Sequence, residues 1–260
     1  MAQVLAAVLA RLPSTHREPV APDTSGADCG PALAPAALVL APAVVALAGL
    51  ADRLPRYTGN AADGTGGRGL TGFIHRRCRI TPADVVPADA RGRPASRDLE
   101  PTMDRTVRGG WELVHSTVLV CPAGPGWATG ARVTHDLARR AAAAAPAPGG
   151  PVPASGAEPV RELVLTAAHV RDWSRATGDH NPIHLRAGAA RRAGLPVGEG
   201  DVVAHGLLLG AISLALAPAS GTVDLRFTGA VPLPAGGSVA LHVDAGGGIS
   251  TGGHSALLRR

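Results

Sequence analysis

The chain has 260 residues, enough for one large domain or for two of ordinary size that each bury a core without disulfide or metal staples. All 25 basic residues are Arg, set against 20 acidic ones, but they are scattered and few aromatic residues accompany them. A nucleic-acid surface is therefore not expected in spite of a pI near 10.3. Cys29, Cys78 and Cys121 are odd in number and far apart, so their spacing indicates neither a disulfide framework nor a thiolate zinc site, and a reducing, cytoplasmic location is expected.

In chain order, the N-terminus lacks the basic flank of a secretory signal, so export is not expected. Residues 31–51 carry no charge and match a membrane span in length, but Pro35 and Pro42 interrupt them and Ala supplies much of the run. A buried helix over residues 36–50, with no membrane span, is the expected state. Candidate strands follow at residues 72–80, 111–121 and 131–138. Residues 141–160 are crowded with Ala, Pro and Gly and lack an apolar period, as a linker would be; they separate residues 1–140 from residues 161–260.

In the second half, Leu163, Val164 and Leu165 lead into a helical stretch that stops at Thr177 and Gly178. Residues 187–193 suggest a short helix closed by Gly194 and Pro196. Residues 205–217 are apolar on nearly every side, as in a helix surrounded by protein. Val223, Leu225 and Phe227 then alternate with Asp224, Arg226 and Thr228, the period of a strand with one buried face, and residues 238–243 and 254–258 are further strand candidates. The first half repeats the order of helix then strands, which points to an internal duplication.

The chemistry concentrates in Thr177-Gly178-Asp179-His180-Asn181-Pro182-Ile183-His184. Pro182 forbids a continuous helix through Asp179 and His184, whereas Asn181 is a good N-cap and Pro182 a good first helical residue. His184 would then sit in the first turn of a helix running to Ala193, with Asp179 just outside it. Such a turn aims a carboxylate and an imidazole at one water, and the positive helix end favours the neutral imidazole. His180, His184 and His205 show no metal-ligand spacing, so no metal is expected there. His75, His115, His135, His242 and His254 fall in candidate strands or turns and are expected to be surface or core residues.

The Gly-Asp-x-Asn-Pro-x-His signature, the following Ala189-Ala190-Arg191-Arg192-Ala193-Gly194-Leu195-Pro196 and the later Val203-Ala204-His205-Gly206 resemble the MaoC-like dehydratases, the family of (R)-specific enoyl-CoA hydratases. Trp173, Arg226-Phe227 and Pro232-Leu233-Pro234 extend the resemblance. It implies an α+β double hot-dog fold, in which each half is a long central helix wrapped by a curved antiparallel β-sheet. Residues 1–140 would be a degenerate copy packed sheet against sheet on the catalytic copy, residues 161–260. The implied activity is (R)-specific hydration of trans-2-enoyl thioesters, or dehydration of (R)-3-hydroxyacyl thioesters, in fatty-acid or polyketide metabolism. Asp179 and His184 would be catalytic; Gly206, Asn181 and His205 would bind the substrate or its oxyanion; Arg186, Arg191 and Arg192 are candidates for phosphate contacts. The acyl group would arrive on coenzyme A or an acyl carrier protein, no other cofactor would be needed, and the double hot dog could pair as a homodimer. A hot-dog thioesterase and a non-catalytic acyl-thioester-binding partner subunit are the alternatives; a thioesterase usually carries an acid on or near the central helix, and residues 205–217 contain none.

Overall fold

The computed structural model describes residues 30–54, 69–83, 101–120, 130–141, 152–154, 158–234 and 236–260. Cys29, Cys121 and most of the Ala/Pro/Gly segment lie outside them. The first half supplies helix α1 (Gly30–Arg53) and strands β1 (Phe73–Ala83), β2 (Thr102–Arg108), β3 (Trp111–Val120) and β4 (Gly130–Arg140). The second supplies β5 (Pro159–Thr166), α2 (Ala167–Thr177), the single turns α3 (Pro182–Leu185) and α4 (Ala189–Arg192), β6 (Asp201–Val203) and α5 (Gly206–Leu216). It ends with β7 (Val223–Phe227), β8 (Pro232–Pro234), β9 (Ser238–Asp244), β10 (Ile249–Thr251) and β11 (His254–Arg259).

Nine strands form one antiparallel sheet in the order β2-β3-β4-β1-β7-β11-β10-β9-β5, and β6 pairs with β8 apart from it. The halves meet where β1 pairs with β7, in register from Arg77 opposite Arg226 to Ile80 opposite Val223. They are thus joined edge to edge in a continuous sheet, and the expected sheet-against-sheet packing does not occur. This arrangement satisfies the main-chain groups of both central edges, which stacked sheets would leave open. Arg77 clamps the seam from β1 by donating through Nε and Nη2 to the two carboxylate oxygens of Asp224 on β7, at 2.8 and 2.5 Å. Each half therefore has a helix against its own part of the sheet, and the whole is a double hot dog.

Helix α1 continues unbroken through Pro42, although Pro removes one helical donor, because tertiary packing on the sheet and on α5 holds it. Ala37, Leu40, Ala43, Val44 and Leu50 are buried along it. Among the described residues it is the helix long and apolar enough to cross a bilayer, and 56% of its residues 36–53 are buried within the protein. Helix α5 is buried along nearly its whole length, as expected from its all-round apolar sequence. Gly210 lets it approach β7: a Cβ there would lie 2.6 Å from Leu225 Cδ1 and 3.8 Å from Leu40 Cδ1 of α1. The two central helices are thus neighbours over one core that includes Leu40, Ile80, Val133, Leu208, Ile212 and Leu225. Each such side chain contributes roughly 1.5–3 kcal/mol of burial energy.

The single helix expected to end at Ala193 is instead the two turns α3 and α4, separated because Gly188 adopts a left-handed φ of 73°. A small apolar cluster of Ile183, Ala190 and Val203 packs beneath them. Expressed alone, residues 159–260 would expose the edge of β7 and the side of α5 that meets α1. We expect that fragment to aggregate or to self-pair, as read by light scattering on a sizing column; a stable monomer would sink the account of the seam.

Candidate active site

Helix α2 begins with a reciprocal cap between Thr166 and His169 and ends at Gly178, which takes a left-handed φ of 74°. That reversal carries the chain into Asp179. Thr177 Oγ1 donates to the Trp173 carbonyl at 2.9 Å, and Ser174 Oγ donates to the Asp179 carbonyl at 2.7 Å while bonding His180 Nδ1 at 2.9 Å. His180 is thereby used in shaping the loop and is itself exposed. Asp179 Oδ1 accepts the Asn181 main-chain N–H at 3.1 Å, which turns its half-buried carboxylate back over the loop.

Asn181 caps α3 as expected, accepting from the Ile183 N–H through Oδ1 at 3.4 Å. The same oxygen accepts from Gly72 N–H at 3.3 Å, and Nδ2 donates to the Phe73 carbonyl at 2.8 Å. The carboxamide is committed to main-chain partners, two of them in the first half. Its place in the site is that of a clamp under the loop that carries Asp179 and His184.

His184 is buried and donates from Nδ1 to the Val203 carbonyl at 2.9 Å, because a carbonyl can only accept. Nε2 of the neutral ring is then left with a lone pair. Burial lowers the His184 pKa below its ordinary 6.5, against smaller upward pulls from Asp179 and the Val203 carbonyl. His205 stacks on it with ring centroids 3.7 Å apart. His205 Nε2 donates to the Asp179 carbonyl at 3.2 Å, while its buried Nδ1 has no hydrogen-bond partner. Burial, followed by the neighbouring His184, holds the His205 pKa well below the ordinary value.

Asp179, His184 and His205 each offer an atom within 4.8 Å of the others, close enough for one water to bridge them. They surround a narrow cavity of about 50 Å³, room for very few water-sized atoms. Gly206, the first residue of α5, also lines it, and a Cβ there would lie 3.1 Å from the Phe227 ring, so any larger residue would push that ring aside by a few tenths of an ångström. The sequence therefore identified Asp179, His184, His205 and Gly206 as residues that do converge. Arg186, Arg191 and Arg192 are exposed on the segment after His184.

The opposite wall comes from the first half: Val44, Leu47 and Ala51 of α1, Leu70, Phe73 and His75. His75 was expected to be surface or core. It reaches the cavity because β1 crosses the seam beside β7, and its ring lies 4.8 Å from that of Phe227. No local motif marks it. Trp173, with 1% of its surface exposed, closes the cavity from α2.

Site and fold together describe a hot-dog fold built twice in one chain, with the candidate site held by the second copy and walled by the first. Residues 150–246 match the MaoC like domain, so this part of the chain is similar to that family. Two crystal structures of HtdX from Mycobacterium tuberculosis share the fold: one is 22% identical over 99% of this chain and 93% of that one, with a TM-score of 0.55. The other is 20% identical over 99% and 92%, with a TM-score of 0.54. A MaoC-like dehydratase from Phytophthora capsici aligns at 14% identity over 75% and 70% of the two chains, with a TM-score of 0.42. A comparison with curated proteins finds no match.

The buried imidazoles His135, His184 and His205 and the half-buried His75 have lowered pKa values in the fold, His135 falling to about 4. Below the ordinary value of 6.5 the unfolded chain binds more protons than the folded one, so stability should fall as pH drops from about 6.5 towards 4. Urea midpoints measured across that window should decline steadily with acidification. A flat profile would contradict the buried, neutral state of these rings.

Proposed function

We propose that the protein is a hydro-lyase that adds water to trans-2-enoyl thioesters with (R) stereochemistry, or removes it from (R)-3-hydroxyacyl thioesters. The observation that carries this reading is the convergence of the Asp179 carboxylate and the neutral His184 ring within 4.8 Å, beside the N-terminus of α5. Hydration needs a base for a water proton, attack of the water oxygen at Cβ, a proton returned to Cα, and stabilisation of the enolate oxygen formed between. Asp179 and His184 accept from one water and handle both proton transfers. The two groups share the acid and base roles through that water. The thioester oxygen lies against the Gly206 N–H, one of the helix-start donors that no intrahelical carbonyl satisfies. One donor of this kind contributes on the order of 3 kcal/mol to the transition state.

The acyl group would occupy the apolar wall made by α1, Leu70 and Phe73, and its carrier would be coenzyme A or an acyl carrier protein. Arg186, Arg191 and Arg192 supply positive charge for the carrier phosphates. The chemistry calls on no cofactor, and the proposed setting is cytoplasmic fatty-acid or polyketide metabolism, with the chain working as a homodimer. The thioesterase alternative gains nothing from α5, which contains no acidic residue.

Asp179→Asn and His184→Ala should each lower turnover of crotonyl-CoA by at least about a hundredfold with the circular dichroism spectrum unchanged. Loss of the enoyl-thioester absorbance measures it, and near-wild-type rates in either variant would remove the proposed site. The sign of the His184 shift also sets the pH profile. A base must be unprotonated, and burial lowers its pKa, so the acid limb of kcat/KM should lie below pH 6.5. A limb above that value, traced to His184 by its loss in the variant, would contradict the assignment.

A further inference from the structure

A second cluster of ligand atoms lies behind the catalytic cavity, under α1. Cys78 on β1 is paired across the sheet with His135 on β4, and both are buried on the face that carries α1. The bulge between His75 and Arg77 lets His75 join that face despite its sequence spacing. His75 Nε2 lies 3.0 Å from His135 Nδ1, and a ligand atom of each ring and Cys78 Sγ all fall within 4.8 Å of one another.

The surroundings are those of a metal site. The outer nitrogen of His135, Nε2, faces the Ala43 carbonyl of α1 at 3.1 Å and must donate to it. A metal-binding imidazole is commonly oriented this way, by a main-chain carbonyl on the nitrogen that does not bind. It leaves the Nδ1 lone pair of a neutral His135 aimed at His75. Burial keeps both rings neutral and raises the Cys78 thiol, so the sulfur keeps its proton until a metal displaces it. Two imidazoles and a thiol of intermediate softness suit zinc and its neighbours, whereas calcium and magnesium demand oxygen.

We propose that His75 Nε2, His135 Nδ1 and Cys78 Sγ form a structural site for one divalent transition metal of the zinc class. Binding forms a metal–sulfur bond as the thiol proton leaves to solvent, and the His75 proton shared with His135 moves from Nε2 to Nδ1 of the same ring, which frees Nε2 for the metal. Water supplies the fourth ligand. Tetrahedral zinc sets its nitrogen ligands about 3.3 Å apart, so the two rings need separate only by a few tenths of an ångström. The ion would tie β1 to β4 beneath α1, in the half whose helix is richest in Ala and so offers the smaller packing energy. Sequence spacing concealed the set, because its members come from two strands and a bulge.

Cobalt(II) tests it, because cobalt bound to a thiolate shows a ligand-to-metal charge-transfer band that cobalt on carboxylates and imidazoles lacks. A Cys29→Ser, Cys121→Ser protein retains Cys78 as its one thiol and should bind one cobalt per chain with that band. Zinc should displace the cobalt and abolish the band, and the loaded protein should melt higher than the chelated one. Cobalt held at Asp179, His184 and His205 would give no such band, so the catalytic cluster cannot imitate the result. A protein that binds no cobalt, or binds it without the thiolate band, overturns the proposal and leaves the two histidines as a neutral hydrogen-bonded pair. Neither outcome depends on catalytic activity.

Discussion

The carboxamide of Asn181 satisfies three main-chain groups at once: the Phe73 carbonyl, the Gly72 N–H and the Ile183 N–H. The first two belong to the entrance of β1, and the third opens the turn that carries His184. One side chain thus fixes the loop of Asp179 and His184 to the other half of the molecule, and nearly every feature of the site follows from that attachment. Asp179 is turned back by the Asn181 N–H, and His184 is set against Val203. Apolar contacts could hold the loop nearby, but a buried amide with three partners also fixes its orientation.

The stacked imidazoles follow from the same placement. Each ring has one nitrogen committed to a carbonyl, His184 to Val203 and His205 to Asp179. These carbonyls decide which nitrogen of each ring remains basic, and burial prevents the rings from charging together. His205 thereby supports the Asp179 loop while forming the N-cap position of α5, so that one ring ties the loop to the helix start.

Much of this was legible in the sequence because the signals were local. Gly178, Asn181, Pro182 and the apolar run after His205 each name a cap or a period, and their elements appear where those signals end. Strand β2 was missed because Thr102–Arg108 is short and polar, and every residue in it is exposed at the sheet edge. The division of the expected helix at Gly188 was missed because Gly marks either a helix stop or a bend, and packing of Ile183 and Ala190 on Val203 decides between them. His75, Phe73 and Leu70 could not be read at all: they enter the cavity through the register of β1 against β4 and β7, which no window of neighbouring residues encodes. The edge-to-edge joining of the halves is equally non-local.

The seam between β1 and β7 has the geometry of a dimer interface whose two partners share one polypeptide. Tethering gives the partners an effective concentration that dilution does not alter, so the candidate site stays assembled at the scarcest expression level. It also breaks symmetry. In a pair of identical subunits, a substitution in the supporting wall would fall on the catalytic corner of the mate as well, and selection would act on both uses together. Within one chain, the half that contributes Phe73 and His75 can vary independently of the half that contributes Asp179 and His184, so the wall can be reshaped while the loop opposite it is kept.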